Sequence, residues 1–331
     1  MLQTLVVTIG AGLAGMLLFI VSAKGSLAAA VITYFTPLPI MIAALGWSQF
    51  VGLAAALLGA ILIAFVFHPI LGAIYAGAFA LPAWWLSYLA LLARFETPTP
   101  AHGTAPGSVQ REWYPIGRVV LWAAVIATVA TIAGVLSVSF TSAGFEDAAR
   151  AGAREAAPVI EQVLGSRQRL PAGVSAEDLA AFVIHGLTIA SAGALSLMHL
   201  VNLWLAGRTT ELSHRLARPW PNLPDNLRLP RFVAVIFPIA LAIALVFEGY
   251  AGLFAAMAAA ALAVGLALHG LAAVHALTRG HPGRVAILVA LYGAIVLLMP
   301  WPLILLIIFG LADLVLALRE RRAARSSTPQ S

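Results

Sequence analysis

Long runs in which almost every position is apolar alternate along the chain with short, arginine-bearing polar segments. Leu5–Ala23, Leu27–Leu45, Phe50–Phe67, Ile70–Ala93, Val119–Phe140, Leu179–Ala206, Phe232–Phe247 and Leu253–Leu277 are such runs. A helix needs about 20 apolar residues to cross the roughly 30 Å hydrocarbon core. A membrane β-barrel would instead alternate polar and apolar positions in segments of about 10 residues, a pattern these runs lack. With no water to satisfy backbone groups, helices are then the remaining solution, and the pattern predicts an all-α polytopic transmembrane bundle. The first run has no basic n-region and no small-residue cleavage site before Lys24, so it reads as a retained span.

The end of the chain sets the count. Val285 to Leu318 is too long for one comfortable span and is interrupted by Met299-Pro300-Trp301-Pro302. Arg279 and Arg284 precede it, and Arg319, Arg321, Arg322 and Arg325 follow. If both flanks are cytoplasmic, an even number of crossings is needed. Two short helices, Val285–Leu298 and Leu303–Leu318, meet that condition, as does a re-entrant pair. The expectation is about ten spans, range 8–10, with both termini inside.

Arginine placement gives this orientation. Arg94, Arg111 and Arg118 follow the fourth span, and Arg208, Arg215, Arg218, Arg228 and Arg231 lie between the sixth and seventh. Putting these groups in the cytoplasm makes 141–178 an extracytoplasmic loop, against which Arg150, Arg154, Arg167 and Arg169 are the counter-evidence. The loop's Phe145, Ala149, Ala153, Ala156, Ile160 and Val163 recur at helical spacing, which predicts an amphipathic helix on the outer membrane surface. Ser175-Ala176-Glu177-Asp178 has the form of a capping box that starts the next span.

Composition narrows the chemistry. The 331 residues are 62% hydrophobic and 10% charged, without cysteine. Disulfides, thiolate metal sites and thiol nucleophiles are therefore excluded. The net charge of +6 belongs to membrane topology and implies no nucleic-acid partner. Lys24 is the only lysine and no Gly-rich loop ends in Lys-Ser/Thr, so ATP hydrolysis through a P-loop is excluded. No metal or catalytic motif is present, and neither a cofactor nor enzymatic activity is expected.

Four units are expected. Residues 1–93 form an N-terminal four-helix membrane unit, and 94–117 form a Pro/Gly/Thr-rich cytoplasmic linker. Residues 118–318 form a C-terminal membrane unit with outer loop 141–178 and inner loop 207–231, and 319–331 form a disordered cytoplasmic tail. No internal repeat is visible.

Polar groups inside spans are costly in lipid and mark candidate sites. Asp313 lies in the last span, and His199 and Asn202 share one face of the sixth. Two prolines inside the second span, Pro37 and Pro39, predict a broken helix whose freed carbonyls need partners or a cavity. Pro37, Pro39, His199, Asn202 and Asp313 are thus candidate cavity residues, although interhelical hydrogen bonding or placement at the interface accounts for the polar three without any site. Glu248, His68, His185, His269 and His275 are weaker candidates, and Trp84-Trp85, Trp113-Tyr114, Trp220 and Trp301 fit an interfacial aromatic belt. Gly10, Ala11, Ala14 and Gly15 place small residues at four-residue spacing, a face for close helix docking within the chain or with a partner. Arg208, Arg215, Arg218, Arg228 and Arg231 form a cytoplasmic contact surface for a partner protein or anionic headgroups.

The elements Phe35-Thr36-Pro37-Leu38-Pro39-Ile40 and Leu227-Arg228-Leu229-Pro230-Arg231-Phe232 resemble those of the YybS-like family of bacterial integral membrane proteins. The N-terminal part of that family is similar in pattern to the S components of energy-coupling-factor vitamin transporters and to MreD-type cell-shape proteins. The resemblance implies an S-component-like N-terminal part in the bacterial inner membrane. It also implies a non-catalytic, transporter-like subunit that binds a small molecule or a partner and leaves energy coupling to another subunit. The chain departs from S components in its additional spans and its outer loop. A structural scaffold for envelope, cell-shape or division machinery is the alternative.

Overall fold

The computed structural model describes residues 1–96, 110–141, 144–164 and 173–327. Seven helices among them are long and apolar enough to cross a membrane, and three shorter apolar helices follow the pattern of the C-terminal region. The first, α1 (Leu2–Ile20), runs on through a 3-10 turn at Val21–Lys24. Next comes a broken span, α2 (Leu27–Thr33) and α3 (Leu38–Gly46). The break falls where two prolines remove amide donors: Pro37 caps α3 and Pro39 occupies its first turn.

Helix α4 (Gln49–Val66) starts on Ser48, whose side chain accepts from the Val51 amide at 3.3 Å. The fourth span is α5 (Pro69–Tyr75), a π-helical segment at Ala76–Ala80, and α6 (Leu81–Leu91). The expected linker begins and ends as a small antiparallel ladder, β1 (Ala93–Glu96) with β2 (Gln110–Trp113), Ala93 facing Trp113. The middle of the linker lies outside the described residues.

The second half contains α7 (Ile116–Thr141), α8 (Phe145–Leu164), α9 (Ala176–Leu212) and the short α10 (Leu223–Asn226). It continues with α11 (Val233–Val246), α12 (Gly249–Leu277), α13 (Arg284–Leu297), α14 (Trp301–Leu316) and α15 (Leu318–Ser327). Helix α15 corrects the expectation of a disordered tail from 319, since Leu318–Ser327 is helical and docked. Residues 328–331 lie outside the described set.

Two apolar cores share a spine. One centres on Ile40, Met41, Ile63, Tyr75 and Leu86, the other on Phe237, Met257, Leu262 and Leu266. Adjacent residues of α7 serve different cores: Val119 and Ala123 face the first, Val120 and Ala124 the second. Helix α9 does the same over a greater length, with Ala206 in one core and Ala192 in the other. Helix α12 is central, with 44% of its span buried, and α1 is peripheral, with 11%.

Where backbones come closest, the residues are glycine. A side chain on Gly270 would collide with the Leu306 carbonyl, and one on Gly310 with the Leu266 carbonyl, so α12 and α14 cross on these two positions. The small-residue face of α1 divides similarly. Gly15 is buried against Tyr75 and Gly12 against Ala55 of α4, whereas Gly10 faces open space. Ala11 and Ala14 are half-buried. Of the four candidate docking positions, Gly15 alone is fully taken up by packing within the chain.

At 37 residues, α9 is about 55 Å long, well beyond the roughly 30 Å core. The capping box is present: Ser175 Oγ accepts from the Asp178 amide at 3.0 Å, and Asp178 Oδ2 accepts from the Ser175 amide at 2.9 Å. The 141–178 loop supplies the predicted amphipathic helix as α8. Its Phe145, Ala149 and Ala153 are buried, and Phe145 packs edge-on to His185 of α9. The first half of its apolar face is therefore covered by protein, while Val159 and Val163 remain exposed. Arg150 pairs with Asp147 and Arg154 with Glu177, so these two arginines are locally compensated; Arg167 and Arg169 lie outside the described residues.

Candidate functional site

The candidate polar residues do not form one constellation; the structure divides them between two places. Asn202 sits under the broken second span, where its Nδ2 donates to the Tyr34 carbonyl at 2.7 Å and to Met198 O at 2.8 Å. The proline break frees that first carbonyl, and a side chain from α9, distant in sequence, satisfies it. His199, three residues earlier and fully buried, donates from Nδ1 to Leu195 O at 2.8 Å. Its ring also lies against the Phe79 carbonyl of the π-helical segment. Pro37 and Pro39 shape the break and contribute no polar atom.

This seam carries unpaired polar atoms. Among the described residues, Thr36 Oγ1, Tyr75 Oη, Ser196 Oγ, His199 Nε2 and Asn202 Oδ1 are buried with no hydrogen-bond partner. Tyr75 Oη points between α1 and α4, in the gap that Gly15 and Gly59 leave open. Each such atom costs about 1–3 kcal/mol if it stays dry.

Asp313 lies elsewhere, at the arginine-rich end of the bundle. Its Oδ2 receives His269 Nε2 at 2.9 Å and Arg319 Nε at 2.9 Å, and its Oδ1 receives the Arg319 amide at 3.1 Å. The Leu229 amide donates to His269 Nδ1 at 3.1 Å, so the ring proton is on Nε2 and points at the carboxylate. Arg319 Nη1 donates to Pro224 O at 2.9 Å and Leu227 O at 3.2 Å. One guanidinium thus joins α14, α12 and the loop around α10. His269, a weaker candidate by sequence, is thus a direct partner of Asp313, and the signal for the pairing in the chain itself is Arg319 just beyond the end of α14.

A cavity lies at this same end. It measures about 280 Å3 and lies between α6, α7, α9, α12 and the strap 213–232. Leu91, Val120, Leu200, Trp204, Leu223 and Leu268 are among its walls, and Arg218 is its one charged lining residue among the described residues. Pro37, Pro39, His199, Asn202 and Asp313 do not line it.

The strap is stiffened by Pro219, Pro221, Pro224 and Pro230. Trp220 lies on α9 at Gly207, where a Cβ would stand 2.9 Å from its ring, and the Arg208 guanidinium covers that ring at 4.9 Å. Arg218 Nη1 donates to Ala90 O at 3.0 Å and to Tyr114 O at 3.3 Å. Burial pulls the Arg218 guanidinium below its ordinary value.

The remaining loop arginines differ in engagement. Arg228 and Arg231 both reach Glu320 of α15, at 2.8 and 3.5 Å, and Arg208 pairs with Glu211. Arg215 stacks on Trp47 at 4.3 Å. Neither Arg215 nor Arg218 has a carboxylate partner among the described residues. Comparisons with family models, with curated proteins and with solved structures return no match to this chain.

Proposed function

We propose that this chain is a non-catalytic, transporter-like subunit of the bacterial inner membrane that binds a small molecule at its arginine-rich end, with both termini cytoplasmic. The observation that carries the reading is the apolar cavity of about 280 Å3 under the proline-stiffened strap. Pockets that bind small molecules are mostly apolar with a few placed polar groups, and Arg218 is such a group. The resemblance to the YybS-like family supports the same reading. Arg215, exposed and without a carboxylate partner, would be the contact for a coupling subunit or headgroups.

Native mass spectrometry of protein extracted in mild detergent tests this. One bound small molecule per chain, lost in Leu197→Trp at the cavity wall, is the expected result. An empty protein that instead co-purifies with cell-shape or division proteins would transfer the reading to a structural scaffold.

A further inference from the structure

The cavity has features that select the class of its occupant. Two wall residues, Leu197 and Trp204, are also exposed on the outer surface of α9, at 38% and 48%. They are seven apart, on one face of the helix. The mouth therefore opens sideways between helices, where the surrounding apolar surface is covered by lipid, and a hydrocarbon chain enters without crossing water. A cavity of about 150 Å3 takes benzene, so 280 Å3 suits an apolar segment of about a dozen carbons.

The polar end of the cavity is cationic. Arg218 carries five N–H donors, of which Nη1 serves the Ala90 and Tyr114 carbonyls. Those two bonds orient the guanidinium without neutralising it, and Trp113 stands 5.7 Å from its carbon. A half-buried cation with no carboxylate partner is costly, and an anion at the cavity mouth offsets that cost. Arg215, stacked on Trp47 and without a carboxylate partner among the described residues, adds a second positive charge on the same strap.

We infer that the cavity takes the hydrocarbon chain of an anionic amphiphile drawn from the membrane, with its phosphate or carboxylate head on Arg218. The inference rests on the small-molecule-binding reading above and names its ligand class. A phospholipid and a single-chain phosphate ester share this chemistry.

The test is thermal unfolding of the full chain in mild detergent with four additives. These are phosphatidylglycerol, phosphatidylcholine of the same chains, a single-chain alkyl phosphate and inorganic phosphate. Phosphatidylglycerol or the alkyl phosphate should raise the melting temperature at concentrations about tenfold lower than phosphatidylcholine does, as expected for a charge-assisted contact. Which of the two acts at lower concentration identifies the source of the head group. Arg218→Lys should keep the preference and Arg218→Gln should abolish it, while Leu197→Trp removes the response to every amphiphile. Equal response of the wild type to phosphatidylglycerol and phosphatidylcholine overturns the inference, as does an unchanged preference in Arg218→Gln. A stoichiometric water-soluble metabolite in the native mass spectrum would also overturn it while leaving the small-molecule reading intact. An empty cavity with no response to any additive would remove both.

Discussion

Arg319 lies six residues beyond Asp313, yet its Nε stands 2.9 Å from Asp313 Oδ2, and both side chains are about 95% buried. The reversal that allows this is at Ala317, which adopts the left-handed conformation with φ 51° and ψ 46°. Its amide bonds to the Asp313 carbonyl at 2.9 Å, ending α14 and turning α15 back under the bundle. The tail is thereby pinned at Arg319, while Glu320 collects Arg228 and Arg231 of the strap that roofs the cavity.

Removing one member of this buried pair should be expensive. Arg319→Met leaves Asp313 charged in an apolar surround, and the expected loss is about 3–5 kcal/mol. The double variant Asp313→Leu, Arg319→Met should recover much of that, because no unpaired charge remains. Denaturation of the purified proteins in detergent checks both; a double variant no better than the single would refute the pairing as the cause.

Ala317 supplies a gentler probe of the same turn. An alanine in the left-handed region carries a penalty of roughly 1–2 kcal/mol, which glycine does not. Ala317→Gly should leave stability unchanged or raise it by up to about 1 kcal/mol. Ala317→Val should lower it, since a β-branched residue tolerates positive φ poorly. Melting temperatures ranked Gly, Ala, Val from highest to lowest are the expected outcome.

The polar seam makes opposite predictions for neighbouring positions. Ser196 Oγ is buried and unpaired, so Ser196→Ala should be neutral or stabilising by about 1 kcal/mol. Asn202 holds the Tyr34 carbonyl of the helix break, so Asn202→Leu should cost about 1–3 kcal/mol by orphaning that carbonyl. A loss of stability in Ser196→Ala would mean that its hydroxyl has a partner in the native protein.

The crossing of α12 and α14 depends on two glycines. A methyl group at Gly270 meets backbone, not a movable side chain, so Gly270→Ala should cost about 1–3 kcal/mol through overpacking. The substitution also pushes α14 away from His269, so weaker hydrogen-exchange protection at the Arg319 amide is expected. Gly293, with nothing near its Cβ position, is the control: Gly293→Ala in α13 should be neutral or stabilising.

The N-terminal end of α9 can be tested at its cap. Ser175→Ala removes the acceptor for the Asp178 amide and should cost about 1 kcal/mol. The effect should be confined to exchange protection of the first turns of α9.

Much of this architecture is legible without coordinates. Apolar runs, the proline break at Pro37 and Pro39, the Ser175 cap and the helical spacing of Phe145, Ala149 and Ala153 are local signals. Each depends on residues within a few turns of one another, so each survives in the linear chain. The cavity was not legible, because its walls come from Leu91, Val120, Trp204 and Leu268, which no spacing relates. Nor was the separation of Asp313 from His199 and Asn202, since that depends on which helices are neighbours.

By itself, then, the sequence determined that this is an apolar helical bundle, where its helices begin and break, and which segments are too charged to enter lipid. These follow from hydration and backbone satisfaction, which are sums over adjacent residues. The tertiary structure alone decided that Asp313 meets His269 and Arg319, that Asn202 repairs the break at Tyr34, and that Arg218 faces an apolar cavity. Such pairings depend on helix rotation and on where glycines let backbones touch. In a chain whose helices are apolar all round, no hydrophobic stripe announces that rotation beforehand.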